Sequence, residues 1–247
     1  MAYAFFGHYN VGLVCLSLGI AILASYTTLN LSDRILATTG WQQWPWLLGG
    51  AVALGSGIWT THFVAMLALE IPIPITYDPF TTAVSLICVI LAAGVALWLV
   101  SRPGLSWLSL SAGGVVMGAA IAWMHYGGIA AMEMSAQIHY RWSLVVFSVV
   151  IAVGASTVAM GLTLWLRRHP DSGSFGLSNL AVLALSFAVV GLHYTGMAGT
   201  VFEPEMALKA NAAGDLNAPW LGLGVAFGAG LSLAITLAIL NLGSWIQ

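Results

Sequence analysis

Three short phrases decide how this sequence is read: Thr61-His62-Phe63-Val64-Ala65-Met66, Met124-His125-Tyr126-Gly127-Gly128-Ile129 and Leu192-His193-Tyr194-Thr195-Gly196-Met197. Each sets one histidine late in a long apolar run. An ionisable side chain is costly in hydrocarbon, so each histidine is a functional-site candidate. The competing reading is a histidine that only hydrogen-bonds across helices, copied by duplication.

Working outward, the chain has 247 residues, 60% apolar and only 6% charged. A soluble domain carries about a quarter charged residues. This chain cannot cover a water-facing surface, which makes it an integral membrane protein embedded in the lipid bilayer. The apolar runs are long and unbroken, which selects helices over barrel strands. Seven spans are expected, at about 9–31, 46–69, 80–100, 107–132, 142–166, 177–201 and 219–243. The connections are short, as in Pro72-Ile73-Pro74 and Arg102-Pro103-Gly104, so residues 1–247 read as one domain of an all-α membrane protein. No basic stripe points to nucleic acid. Cys15 and Cys88 fall inside apolar runs and match neither a zinc spacing nor a disulfide framework. The N-terminus lacks the basic n-region of a cleaved signal peptide.

Cytoplasmic loops hold the excess of Lys and Arg. Arg34, Arg102, Arg167 and Arg168 follow spans one, three and five, whereas Arg141 and Lys209 follow spans four and six. That bias places the N-terminus outside and the C-terminus in the cytoplasm. The outer face is acidic, with Glu70, Asp78, Glu133, Glu203, Glu205 and Asp215.

His62 and His125 are 63 residues apart, and His125 and His193 are 68 apart. Each interval holds two spans, so the three copies point the same way. This is a parallel repeat about an axis along the membrane normal. It makes three helical hairpins plus a seventh helix. Glu70, Glu133 and Glu203 follow the histidines by eight, eight and ten residues. The imidazoles then lie at similar depth, roughly 12–15 Å below the outer boundary.

Met66 and Met197 each stand four residues after a histidine, on the same helical face. The middle copy has Ile129 there, with Met132 seven residues on. Imidazole with thioether, lacking thiolate or carboxylate, suits copper. Zinc more usually recruits cysteine or carboxylate, and haem held by His-His or His-Met pairs stays open. The thioethers also read as core packing. Tyr126 and Tyr194 follow their histidines on a neighbouring face, either bonding to groups around the site or packing; the first copy has Phe63. Gly55, Gly118, Gly128 and Gly196 are among the glycines that let these helices approach closely. His8, His139 and His169 lie near span ends and read as solvated.

With the opening His8-Tyr9-Asn10 and the run Ile22-Leu23-Ala24-Ser25-Tyr26, the three phrases resemble the MHYT domain, a bacterial integral-membrane sensory module named for Met-His-Tyr-Thr. The resemblance covers almost the whole chain. No copy is a complete Met-His-Tyr-Thr; histidine alone is present in all three. The resemblance implies copper and the sensing of a diatomic gas such as oxygen, carbon monoxide or nitric oxide. It implies a partner too: a cytoplasmic C-terminal output domain for cyclic-di-GMP synthesis or hydrolysis. It also implies a sensor rather than an enzyme, in a bacterial cytoplasmic membrane, with any catalytic domain outside this chain. A copper carrier and a haem-binding oxidoreductase are the alternatives, and oligomeric state stays open.

Overall fold

In a bilayer the backbone must satisfy its own hydrogen bonds, and these apolar runs do so as helices. The computed structural model describes residues 8–102, 106–169, 175–204, 216–217, 221–222, 224–231, 234–235 and 238. Six helices among them are long and apolar enough to cross a membrane. They are α1 (Val11–Ala37), α2 (Gln43–Leu67), α3 (Pro79–Ser101), α4 (Trp107–Ala130), α5 (Trp142–Arg168) and α6 (Phe175–Ala198). The expected spans match these closely, except that α1 runs on to Ala37. Much of the seventh expected span, with Lys209, Glu205 and Asp215, lies outside the described residues; its stretch 224–231 is helical.

Local chemistry sets the helix ends. The side chains of Asn10, Asp78 and Ser106 accept from the backbone N–H of Leu13, Thr81 and Ser109, capping α1, α3 and α4. At Asp78, bonds from Thr81 hold the carboxyl below its usual range. Gly40, between α1 and α2, takes φ 63°, a conformation that suits glycine. Within the spans, Thr27, Thr28, Ser32, Thr157 and Thr163 bond back to carbonyls four residues earlier, which satisfies their hydroxyl donors within the helix.

The helices form three hairpins, α1–α2, α3–α4 and α5–α6. Short strands close one end of each, a feature the apolar pattern did not foretell. They are β1 (His8–Tyr9), β2 (Leu69–Glu70), β3 (Thr76–Tyr77), β4 (Met132–Glu133), β5 (Ala136–Tyr140), β6 (Thr200–Pro204) and β7 (Leu216–Asn217). The strand before each hairpin pairs antiparallel with the strand after it: β1 with β2, β3 with β4, β5 with β6. β7 adds to the free edge of β3. At each closure one backbone bond recurs, from the N–H of Asn10, Asp78 or Arg141 to the carbonyl of Ala68, Ala131 or Gly199. Those carbonyls all lie six residues after a histidine.

Neighbouring helices pack around a ring in chain order, and α6 returns to α1. The second helices of the hairpins, α2, α4 and α6, meet at its centre. Glycines permit the close crossings: a Cβ on Gly55 would strike the α3 backbone at Ile90, and one on Gly118 the α5 backbone at Val153. The seventh stretch breaks the threefold pattern. Gly228 sits against Thr60, and Ile235 packs beside Leu31 and Ala53, so α2 is buried without a gap from Ala53 to Met66.

Candidate metal centre

Because α2, α4 and α6 run in one direction and meet at the axis, the repeat brings His62, His125 and His193 together. Their ring centroids form a nearly equilateral triangle, 5.0, 5.1 and 5.0 Å on its sides. All three residues are fully buried. His62 Nδ1 stands 3.0 Å from His193 Nδ1 and 3.2 Å from His125 Nδ1. Three nitrogens bound to one ion at about 2.0 Å in tetrahedral or trigonal array are about 3.3–3.5 Å apart. The triangle is therefore near the size a metal ion requires. It is the one group of three histidines, cysteines or carboxylates among the described residues with that geometry.

Hydrogen bonding argues in the same direction. An Nδ1 of a neutral imidazole either donates or accepts. Three of them facing one point leave a pair of like groups opposed, which a cation relieves. The Nε2 atoms face away, buried, and have no hydrogen-bond partner among the described residues. Two of them, on His62 and His125, face a glycine of another central helix. A Cβ on Gly128 would collide with His62 Nε2, and one on Gly196 with His125 Nε2. Both glycines stand three residues after a histidine; α2 has Ala65 at that position. Glycine is thus the seat that lets His62 and His125 turn their Nδ1 edges inward.

Along the axis the layers are regular. One turn toward the strand end stand Met66, Ile129 and Met197, all buried. One turn the other way stand Ile58, Ile121 and Val189, also buried. Met66 and Met197 are therefore on the histidine-bearing faces. Met132 is not: α4 ends at Ala130, and Met132 lies in β4 paired with Tyr77, so the helical-face argument does not reach it.

The tyrosine that follows His125 or His193 clasps the next hairpin. Ser148 Oγ donates to the Val145 carbonyl at 2.7 Å, so the Tyr126 hydroxyl, 2.8 Å away, donates to Ser148. Likewise Ser17 donates to Val14 at 2.8 Å, and the Tyr194 hydroxyl donates to Ser17 at 3.1 Å. At the equivalent place in the second hairpin Ser85 donates to Thr82 at 2.7 Å, and Phe63, which follows His62, has no hydroxyl to bond to it. Three strand tyrosines complete the collar. Tyr9 packs edge-on against Tyr194, Tyr77 against Phe63 and Tyr140 against Tyr126. Burial pushes the Tyr77 hydroxyl well above its ordinary pKa.

Ser17, Ser85 and Ser148 thus occupy equivalent places in the three hairpins. Tyr9 and Ser17, Tyr77 and Ser85, and Tyr140 and Ser148 are each eight residues apart. That spacing is the signal that would have found them. Glu70, Glu133 and Glu203 lie in β2, β4 and β6, beyond the helix ends, and Glu203 stands 3.5 Å from His139.

Fold and site define an integral membrane protein of helical-hairpin repeats around a tri-histidine chamber that could hold a metal ion. The chain belongs to the MHYT family, whose model, described as a bacterial signalling protein N-terminal repeat, matches residues 55–113 and 118–176. These segments contain His62 and His125, and their starts are 63 residues apart, the spacing of those histidines; His193 lies outside both. The chain is 40% identical over 235 residues to the bifunctional diguanylate cyclase/cyclic di-GMP phosphodiesterase MucR of Pseudomonas aeruginosa, covering 94% of this chain and 33% of that protein. It is 35% identical to the signalling protein YkoW of Bacillus subtilis (81% of this chain, 25% of that protein). It is 36% identical to the cyclic di-GMP phosphodiesterase NbdA of Pseudomonas aeruginosa (86% and 28%). The chain spans a third or less of the length of these relatives. Its role is that of a membrane sensory region and not of an enzyme; the activities in the relatives' names belong to parts it does not match. No solved structure matches it.

Proposed function

We propose that this region is a single seven-helix sensory domain that holds one copper ion at His62, His125 and His193. The reading rests on one observation: three buried Nδ1 atoms converge with metal-sized spacing. Met66 and Met197 supply thioethers from the strand side, and Tyr126 and Tyr194 fix the rings through their clasps. Imidazole with thioether favours copper. The triad includes no carboxylate, so the ion's charge is uncompensated. Desolvation grows steeply with charge, which favours monovalent copper over a divalent ion. A copper ion there would supply a redox-active centre able to take a diatomic gas. The three imidazoles are in mutual edge contact, which leaves no slot between them for a porphyrin.

The signal is gas ligation or a change of redox state. It passes through the packing of α2, α4 and α6 to a cytoplasmic cyclic-di-GMP output domain or partner, the N-terminus lying outside. The buried layer of Ile58, Ile121 and Val189 offers an ion no ligand, which weighs against a copper carrier. Elemental analysis of the purified protein tests the site. We expect one copper per chain, lost in the His62→Ala/His125→Ala/His193→Ala variant; full metal content in that variant sinks the reading.

A further inference from the structure

The half of the bundle away from the strands contains a cavity walled by all six helices. On the axis side it is bounded by Leu54, Met117 and Leu185, which stand eight residues before His62, His125 and His193. Two turns of helix, roughly 12 Å, thus separate it from the triad. Ile58, Ile121 and Val189 fill the turn between.

The cavity is mostly apolar but carries five hydroxyls on two facing helices: Ser25, Thr28 and Ser32 on α1, Ser156 and Thr163 on α5. Thr28, Ser32 and Thr163 donate to their own helix, and Ser25 accepts from Ser186. Ser156 is the exception. It is fully buried, and its Oγ has no hydrogen-bond partner among the described residues. A buried hydroxyl left unpaired costs about 1–3 kcal/mol. Water is the usual resolution, given room and two to four polar neighbours. Here about 60 Å³ is open to the centres of water molecules, against roughly 10–15 Å³ needed for one. The spare acceptor lone pairs of the other hydroxyls supply partners.

The cavity also approaches the non-strand end. Val100 is one residue from the end of α3, and Ser32 and Thr163 are five from the ends of α1 and α5. Among the described residues, the turn between it and the histidines is aliphatic at Ile58, Ile121 and Val189.

We propose that this cavity is a hydrated vestibule: it holds several waters, fills from the end bearing Arg34, Arg102 and Arg168, and is sealed from the histidine chamber by Ile58, Ile121 and Val189. The two compartments share one axis but not one solvent. The histidine chamber is then reached from the strand face alone. The proposal stands on the cavity and its hydroxyls and does not depend on which ion the triad holds.

Radiolytic hydroxyl labelling of the full chain in lipid nanodiscs tests the water. Met117 and Met160 line the cavity, whereas Met124 is equally buried away from it. We expect sulfoxide at Met117 and Met160 to form about tenfold faster than at Met124, because bound water is the local radical source. Equal rates would overturn the hydration. A Thr163→Cys variant, with Cys15 and Cys88 changed to serine, tests the seal in oriented vesicles. A membrane-impermeant thiol reagent should modify it from the face bearing Arg102 and not from the strand face. Modification from both faces, or from neither, would overturn the one-sided arrangement.

Discussion

The strand-side half and the opposite half of this bundle are built from the same six helices, yet they obey different rules. On the strand side, position after position recurs threefold: tyrosine, serine eight residues later, histidine, and the backbone bond six residues beyond it. Toward the opposite end the equivalence loosens. Seven residues before the histidines stand Gly55, Gly118 and Ser186, and eight before stand Leu54, Met117 and Leu185. The packing opens into a cavity there. Three imidazoles brought to one point need closely fixed supporting contacts, whereas a span that only crosses lipid tolerates many apolar fillings.

Substitutions on the two sides should therefore separate metal affinity from stability. The largest effect is expected for His62→Ala, because His62 Nδ1 is the atom closest to both partners. Removing it should weaken metal binding by more than the roughly 10–100-fold typical of losing an outer support, read by competition titration. Gly128→Ala comes next. Its methyl group would collide with His62 and turn the ring away, at a cost of about 10–100-fold in affinity. Gly127→Ala is the matched control, since a Cβ there meets nothing closer than Ser85 at 3.9 Å. If the two variants bind alike, the glycine seat is wrong.

A third, smaller change is Met66→Leu, which keeps volume and removes sulfur. It should lower affinity for monovalent copper about tenfold while leaving zinc binding unchanged; Ile129→Met should act in the opposite direction. Tyr194→Phe removes one hydrogen bond to Ser17, worth about 1 kcal/mol, and should lower the thermal midpoint by a few degrees with little loss of metal. Leu54→Ala, on the opposite side, enlarges the existing cavity. It should cost about 2–5 kcal/mol of stability and leave metal affinity untouched, measured by unfolding and titration together. Loss of metal in Leu54→Ala would break the comparison between the halves.

Much of this was legible because a bilayer imposes few solutions. The apolar runs set five helices to within about three residues and fell six short at the end of α1, and repeat arithmetic placed three histidines at one depth. Strands of two residues left no trace, since alternation cannot show in so short a segment. The clasps of Tyr126 and Tyr194 were hidden because their serines lie on other hairpins, and a serine in an apolar run usually bonds its own helix. Met132 misled for a related reason: counting seven residues assumes a helix that has already ended at Ala130. The cavity had no linear signature, because its walls come from all six helices.

The bond from Tyr194 to Ser17 joins the last hairpin to the first. A chain threaded into the membrane from its N-terminus presents α1 early and leaves that face waiting until α6 arrives. His193 arrives with α6. Until then His62 and His125 make only a two-coordinate pair, and the wall that would enclose them is missing. Ring closure and chamber completion are thus one event, set by the order of synthesis. On the metal-site reading, a truncation before α6 is expected to lack the third imidazole and to bind metal poorly, which metal analysis of that truncation would check.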